Sequence, residues 1–124
     1  MTIARAMETA AALERITGVN EAGHRHFRSK YFSGTVIAQA DYAFEPYVYE
    51  LNVEAARLAR AAADEWTART PDRPRFVAGS MGPTGELLEP MGTMTPETCE
   101  AAFAEQARGL VAGGADILWI ETMS

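Results

Sequence analysis

The clearest pattern lies in residues 45–67, where Val48, Leu51, Ala55, Leu58, Ala62 and Trp66 recur every three or four positions. That spacing predicts a long amphipathic helix, with Arg57, Arg60, Asp64 and Glu65 off the apolar stripe. Trp66, closing the stripe, reads as packing. Past the polar, proline-bearing stretch 67–74 the period changes. Residues 75–79 form a short apolar run that predicts a buried strand, and Gly82, Pro83, Thr84 and Gly85 have turn chemistry. Thr95, Pro96 and Glu97 then predict a helix start: a hydroxyl cap, a proline at the first position and a carboxylate at the positive dipole end. Cys99, Ala102, Phe103, Gln106 and Leu110 give this helix a largely apolar stripe, and Gly113 with Gly114 ends it. Residues 116–120 are a second apolar run, too short for a helix and apolar on both faces. Strands of that kind belong to parallel sheets covered by helices, so residues 75–124 predict a right-handed strand–helix–strand unit.

The first part of the chain is less regular. Residues 2–16 are rich in alanine and other helix formers, but Ile3, Met7, Leu13 and Ile16 give only a loose stripe, and Thr17, Gly18, Val19 and Asn20 break it. Residues 24–30 (HRHFRSK) crowd basic and histidine side chains into an otherwise acidic chain. They read foremost as a solvated loop. An anion or RNA patch is a second reading. A third is a metal pair of His24 and His26, which a strand would place on one face. Two ligands are too few for a structural zinc site, however. Residues 33–44 are mixed, with Asp41 as a candidate start for the following helix.

In strand–helix–strand units chemistry sits beyond the carboxyl ends of the strands. Here those ends are the loop 79–85 and the pair Glu121 and Thr122. A carboxylate at the mouth of an apolar strand is a site candidate, weighed against a surface charge or helix cap. With 124 residues the chain is sized for one ordinary domain, and 48% hydrophobic residues argue against disorder. A net charge of −6 argues against a general nucleic-acid binder. One cysteine excludes an internal disulfide framework and a multi-cysteine zinc site within the chain. No run is long enough to span a membrane and no signal pattern opens the chain, so a cytoplasmic location is expected.

Three phrases carry a resemblance: VAGSMGPTGELL (77–88), ELNVEAARLARAAADEW (50–66) and AGGADILWIETMS (112–124). Over about residues 33–124 the chain resembles homocysteine S-methyltransferase domains. These include the homocysteine-binding module of cobalamin-dependent methionine synthase and the betaine–homocysteine methyltransferases. SGTVIAQADY and DEWTARTPDRPRFVAG look most like the former, GPTGELLEP and WIETMS more like bacterial betaine-type relatives. The resemblance implies an α/β fold, a fragment of a (β/α)8 TIM barrel holding about strands 2–4 with their helices; the full barrel has roughly 300 residues. It implies homocysteine and a methyl donor as partners, and a zinc that binds homocysteine as the thiolate. That zinc is held by three cysteines, one after the sixth strand and an adjacent pair near the eighth. The donor is methylcobalamin in one branch, so cobalamin is a possible cofactor, and betaine or a similar carrier in the other. Glu121 matches the glutamate that contacts the homocysteine amino group, and Gly82, Pro83 and Thr84 match a loop lining the same pocket less directly.

The chain departs from the family pattern. A DGGxGT-like first-strand motif is absent, the zinc-bearing strands are expected beyond Ser124, and Cys99 matches no zinc ligand and reads as a core residue. The expectation is therefore a partial homocysteine-binding domain over residues 1–124, inactive alone. The alternatives are an enzyme completed by a separately encoded chain, or a non-catalytic interaction module using the 24–30 patch. Residues 24–31 are atypical for the family: the chain has EAGHRHFRSKYFSGT where EAGADIIETNTFSGT would be expected. Possible codons for residues 23–33, read one base later, can spell Ala-Thr-Asp-Ile-Phe-Glu-Ala-Asn-Thr-Phe. A pair of compensating frame errors would explain the segment, and the coding DNA decides it.

Overall fold

The computed structural model describes residues 34–123, together with the backbone of a strand at His26–Arg28. The helix expected over 2–16 lies outside the described residues. The elements run β1 (His26–Arg28), α1 (Val36–Gln39), 3-10 turns at Ala40–Tyr42 and Glu45–Tyr47, α2 (Val48–Arg69), β2 (Phe76–Met81), α3 (Pro96–Ala112) and β3 (Ile117–Ile120). The described strands form one parallel sheet in the order β1-β2-β3. The chain is thus α/β, as expected.

The strand at His26–Arg28 corrects the reading of 24–30 as a solvated loop. Its backbone pairs with β2 in the register His26↔Phe76, Phe27↔Val77, Arg28↔Ala78. Parallel pairing uses backbone N–H and C=O groups, which basic residues carry as well as apolar ones. His24, the other member of the suggested metal pair, lies outside the described residues.

Asp41 does not start the long helix. It sits in a 3-10 turn closed by Ala43 at φ 56, a left-handed residue that breaks the helical path. The chain then re-enters through a second 3-10 turn carrying Pro46, and α2 begins at Val48. The buried face of α2 keeps Val48 and Ala55 of the expected stripe, with Ala62 and Trp66 packed on the core, but extends to residues outside it. Val48, Asn52, Val53, Ala55, Ala56, Ala59 and Ala63 are buried, whereas Leu58 is exposed.

The cause is α3. A Cβ added to Gly109 would meet Asn52 Cβ at 2.8 Å and the Tyr49 carbonyl oxygen at 2.9 Å. One on Gly113 would meet the Val53 carbonyl oxygen at 2.3 Å and Ala56 Cβ at 2.6 Å. The helices touch through their smallest residues, so alanines and an asparagine face inward. Asn52 Nδ2 satisfies itself by donating to the carbonyls of Gly34 and Val48, both at 2.8 Å.

α3 follows its sequence signals closely. Thr95 Oγ1 accepts from Thr98 N at 3.2 Å, with Pro96 at the first turn. At the other end Gly114, at φ 102, donates to the Val111 carbonyl, and Ala115 donates to the Leu110 carbonyl, both at 3.0 Å. Those two bonds form a Schellman motif, which needs the left-handed residue that glycine supplies at least cost.

Both helices pack on β2. Val77 clusters with Ala59 and Ala63, flanked by Trp66 and Ala115; Met81 clusters with Ala56 and Leu110, flanked by Phe103 and Ala107. The expectation that both apolar strands are buried holds for β2 beyond Phe76 but not for β3. Ile117 is 48% exposed, Trp119 49% and Ile120 67%. β3 has β2 on one side and no neighbouring strand on the other among the described residues. No described helix is long and apolar enough to cross a membrane.

Candidate functional site at the carboxyl ends of the strands

Successive strand residues point to opposite faces. Val77 and Met81 pack on the helices, so Ala78 and Ser80 take the other face of β2. The register Ser80↔Trp119 carries this alternation into β3, and Glu121, two residues on, shares the face of Ser80. Pairing extends one step beyond β3, where Glu121 N donates to the Met81 carbonyl at 3.0 Å. Thr122, at φ 59, then turns the chain away. The backbone of Glu121 is therefore held by the sheet. Its side chain is half-buried, and Oε1 accepts a hydrogen bond from the Ser80 hydroxyl. Ser80 itself is 1% exposed.

The loop after β2 places the other candidates at the same end. Gly82 is buried, Pro83 half-buried and Thr84 buried. Thr84 Oγ1 accepts from Glu86 N at 3.2 Å and donates to the Glu86 carbonyl at 3.3 Å, across Gly85 at φ 90. Its hydroxyl shapes the loop. What these residues offer at the mouth of the sheet is mainly backbone.

The amino ends of the strands carry a different polar group. Asp116 Oδ2 accepts from Arg60 NH1 at 2.7 Å and from Val77 N at 2.7 Å, while Arg60 NH2 reaches the Arg75 carbonyl at 3.2 Å. In barrel-type sheets this end serves stability and the carboxyl end serves chemistry.

Sequence reasoning placed Glu121 and the loop but missed Ser80. The available signal was a lone hydroxyl in an apolar strand, in phase with Ala78 and just before a glycine turn. Trp66 packs as expected, with the Arg69 guanidinium 4.7 Å from its ring centroid. Cys99 is a free, half-buried thiol on α3. Among the described residues no three His, Cys, Asp or Glu side chains converge on a metal-sized site. These residues do not fit a zinc ion.

What the arrangement can do is bind. A carboxylate held by a hydroxyl donor, beside turn backbone, can accept hydrogen bonds from an ammonium group. A family model described as homocysteine S-methyltransferase matches residues 19–124, a span that includes all three described strands.

Proposed function

Starting from a chain that belongs to the homocysteine S-methyltransferase family, we infer that its role is to recognise homocysteine for methyl transfer to its sulfur. Glu121 accepts hydrogen bonds from the substrate α-ammonium, and the backbone of Gly82, Pro83 and Thr84 lines the pocket beside it. The observation that carries this reading is the Glu121 carboxylate, held at the mouth of β3 by Ser80.

The architecture supports a fragment of a (β/α)8 barrel, about its strands 2–4. The strands are parallel, follow sequence order, and are joined by helices that pack on one face of β2. In the complete reaction the homocysteine thiol loses its proton, its sulfur bonds the methyl carbon, and the bond between methyl and donor breaks, giving methionine. The described residues do not fit the zinc that activates the thiol in this family. No step through a metal is assigned to them.

We propose that the activating cysteines come from outside residues 1–124, on further chain or on a complementing partner. The exposed apolar row Ile117, Leu118, Trp119 and Ile120 supports this, because it is a sheet edge of the kind a barrel pairs and covers. The donor belongs to one of two classes, methylcobalamin or a betaine-like carrier, which a transfer assay with each would separate.

Calorimetric titration of the full chain tests the recognition step. L-homocysteine is expected to bind, and Glu121→Gln to weaken it about tenfold or more. Binding of 4-sulfanylbutanoate, which lacks the amino group, should not change. Equal binding of L-homocysteine by both proteins would remove Glu121 from the site.

A further inference from the structure

The geometry points to Ser80 as the positioning residue of the site: its buried hydroxyl sets the orientation in which Glu121 meets the substrate ammonium. The inference rests on the reading of Glu121 as the amino-group acceptor and adds to it a residue that does not itself touch substrate.

Three observations carry it. First, Ser80 is 1% exposed, on the face of β2 opposite Val77 and Met81, so its hydroxyl has no access to bulk water to satisfy it. A buried hydroxyl needs a partner, and the Oε1 atom of Glu121 is one. Second, the two residues are set by backbone pairing. Ser80 lies opposite Trp119 in the ladder, and Glu121 N bonds the Met81 carbonyl. The anchors on both sides of the hydrogen bond are therefore fixed by the sheet.

Third, glutamate has three side-chain torsions, and a carboxylate on so long an arm pays rotamer entropy on binding unless it is held beforehand. A hydroxyl on one oxygen restricts those torsions and turns the carboxylate plane. Alanine at position 80 would keep the strand and remove this restraint. The serine, not the glutamate alone, then separates an amino acid from its deaminated analogue.

The test uses the full chain as wild type, Ser80→Ala and Ser80→Thr. The first readout needs no ligand: three-bond couplings of the Glu121 side chain by NMR. One dominant χ1 rotamer is expected in the wild type and in Ser80→Thr, and averaged couplings in Ser80→Ala. The amide spectrum around Val77 and Leu110 should stay unchanged, which separates loss of positioning from loss of fold. Averaged couplings in the wild type, or an ordered Glu121 in Ser80→Ala, overturn the inference.

The second readout is selectivity. The preference for L-homocysteine over 4-sulfanylbutanoate should fall about tenfold in Ser80→Ala and recover in Ser80→Thr. If the wild type binds neither compound, the proposed function fails, and the couplings still decide whether Ser80 orders Glu121. If the wild type prefers L-homocysteine and Ser80→Ala keeps that preference, the recognition site stands and the role of Ser80 is refuted.

Discussion

Arg60 and Asp116, 56 residues apart in the chain, are joined by a 2.7 Å ion pair at the amino ends of β2 and β3. The same Asp116 oxygen accepts the backbone N–H of fully buried Val77. The pair thus ties α2 to the start of both strands. Because Asp116 is partly exposed, the Coulombic part is modest, and the larger loss on truncation is the acceptor for Val77. Asp116→Ala is expected to destabilise the fold by about 1–2 kcal/mol, and Arg60→Ala by less. Urea denaturation of the two variants measures the ordering. Equal losses would mean that the ion pair, not the strand N–H, dominates.

Gly109→Ala sets two effects against each other. Alanine is the better helix former by about 1 kcal/mol, but its Cβ would lie 2.8 Å from Asn52 Cβ and 2.9 Å from the Tyr49 carbonyl oxygen. Overpacking of that kind typically costs about 1–3 kcal/mol. A net loss of stability is expected, and a larger one for Gly113→Ala, where the contact with the Val53 carbonyl oxygen is 2.3 Å. Thermal melts of both variants test this, and a raised melting temperature for either would contradict the close approach.

Thr95→Ala should cost about 1 kcal/mol by removing the acceptor for Thr98 N. Thr95→Asp restores an oxygen in the cap and places a carboxylate at the positive end of α3, so it should retain most of the wild-type stability. Chemical denaturation of the pair is the check.

Much of this was legible before any coordinates. The cap at Thr95 and the stop at Gly114 are local signals, because each satisfies its own neighbouring backbone, and β2 and β3 show as short continuous apolar runs. The inward face of α2 was legible only in part: Val48 and Ala55 of the expected stripe are buried and Ala62 and Trp66 pack on the core, but the contact with α3 was not foreseen. Hydrophobic spacing selects Leu51 and Leu58, whereas the true contact is small-on-small, and Asn52 enters it only because its amide bonds two carbonyls within reach. The strand at His26–Arg28 was hidden by its basic residues, since pairing depends on backbone and neighbours. At the site, Glu121 stood out as a charge closing an apolar run. Ser80 did not, because its significance lies in a partner 41 residues away.

The apolar row of β3 has its own expected behaviour. Ile120 is 67% exposed, so Ile120→Lys should leave stability within about 0.5 kcal/mol. A charge on an open edge should also suppress strand-to-strand association. Sedimentation at rising concentration is expected to show less self-association for the variant than for the wild type. A marked loss of stability instead would show that the row is already packed.

The contact between α2 and α3 bears on how sequences of this fold can drift. In most cores a methyl group lost on one side can be replaced from the other, so volume is negotiable. At Gly109 and Gly113 the opposing atoms include the carbonyl oxygens of Tyr49 and Val53, and no substitution can shrink a carbonyl. The two helices act as a ruler with one permitted length. Selection can rewrite the loops at the mouth of the sheet around a new ligand while the spacing beneath them stays the same. A saturation scan would show this as two narrow positions of intolerance in the scaffold, deeper than at the larger apolar residues around them.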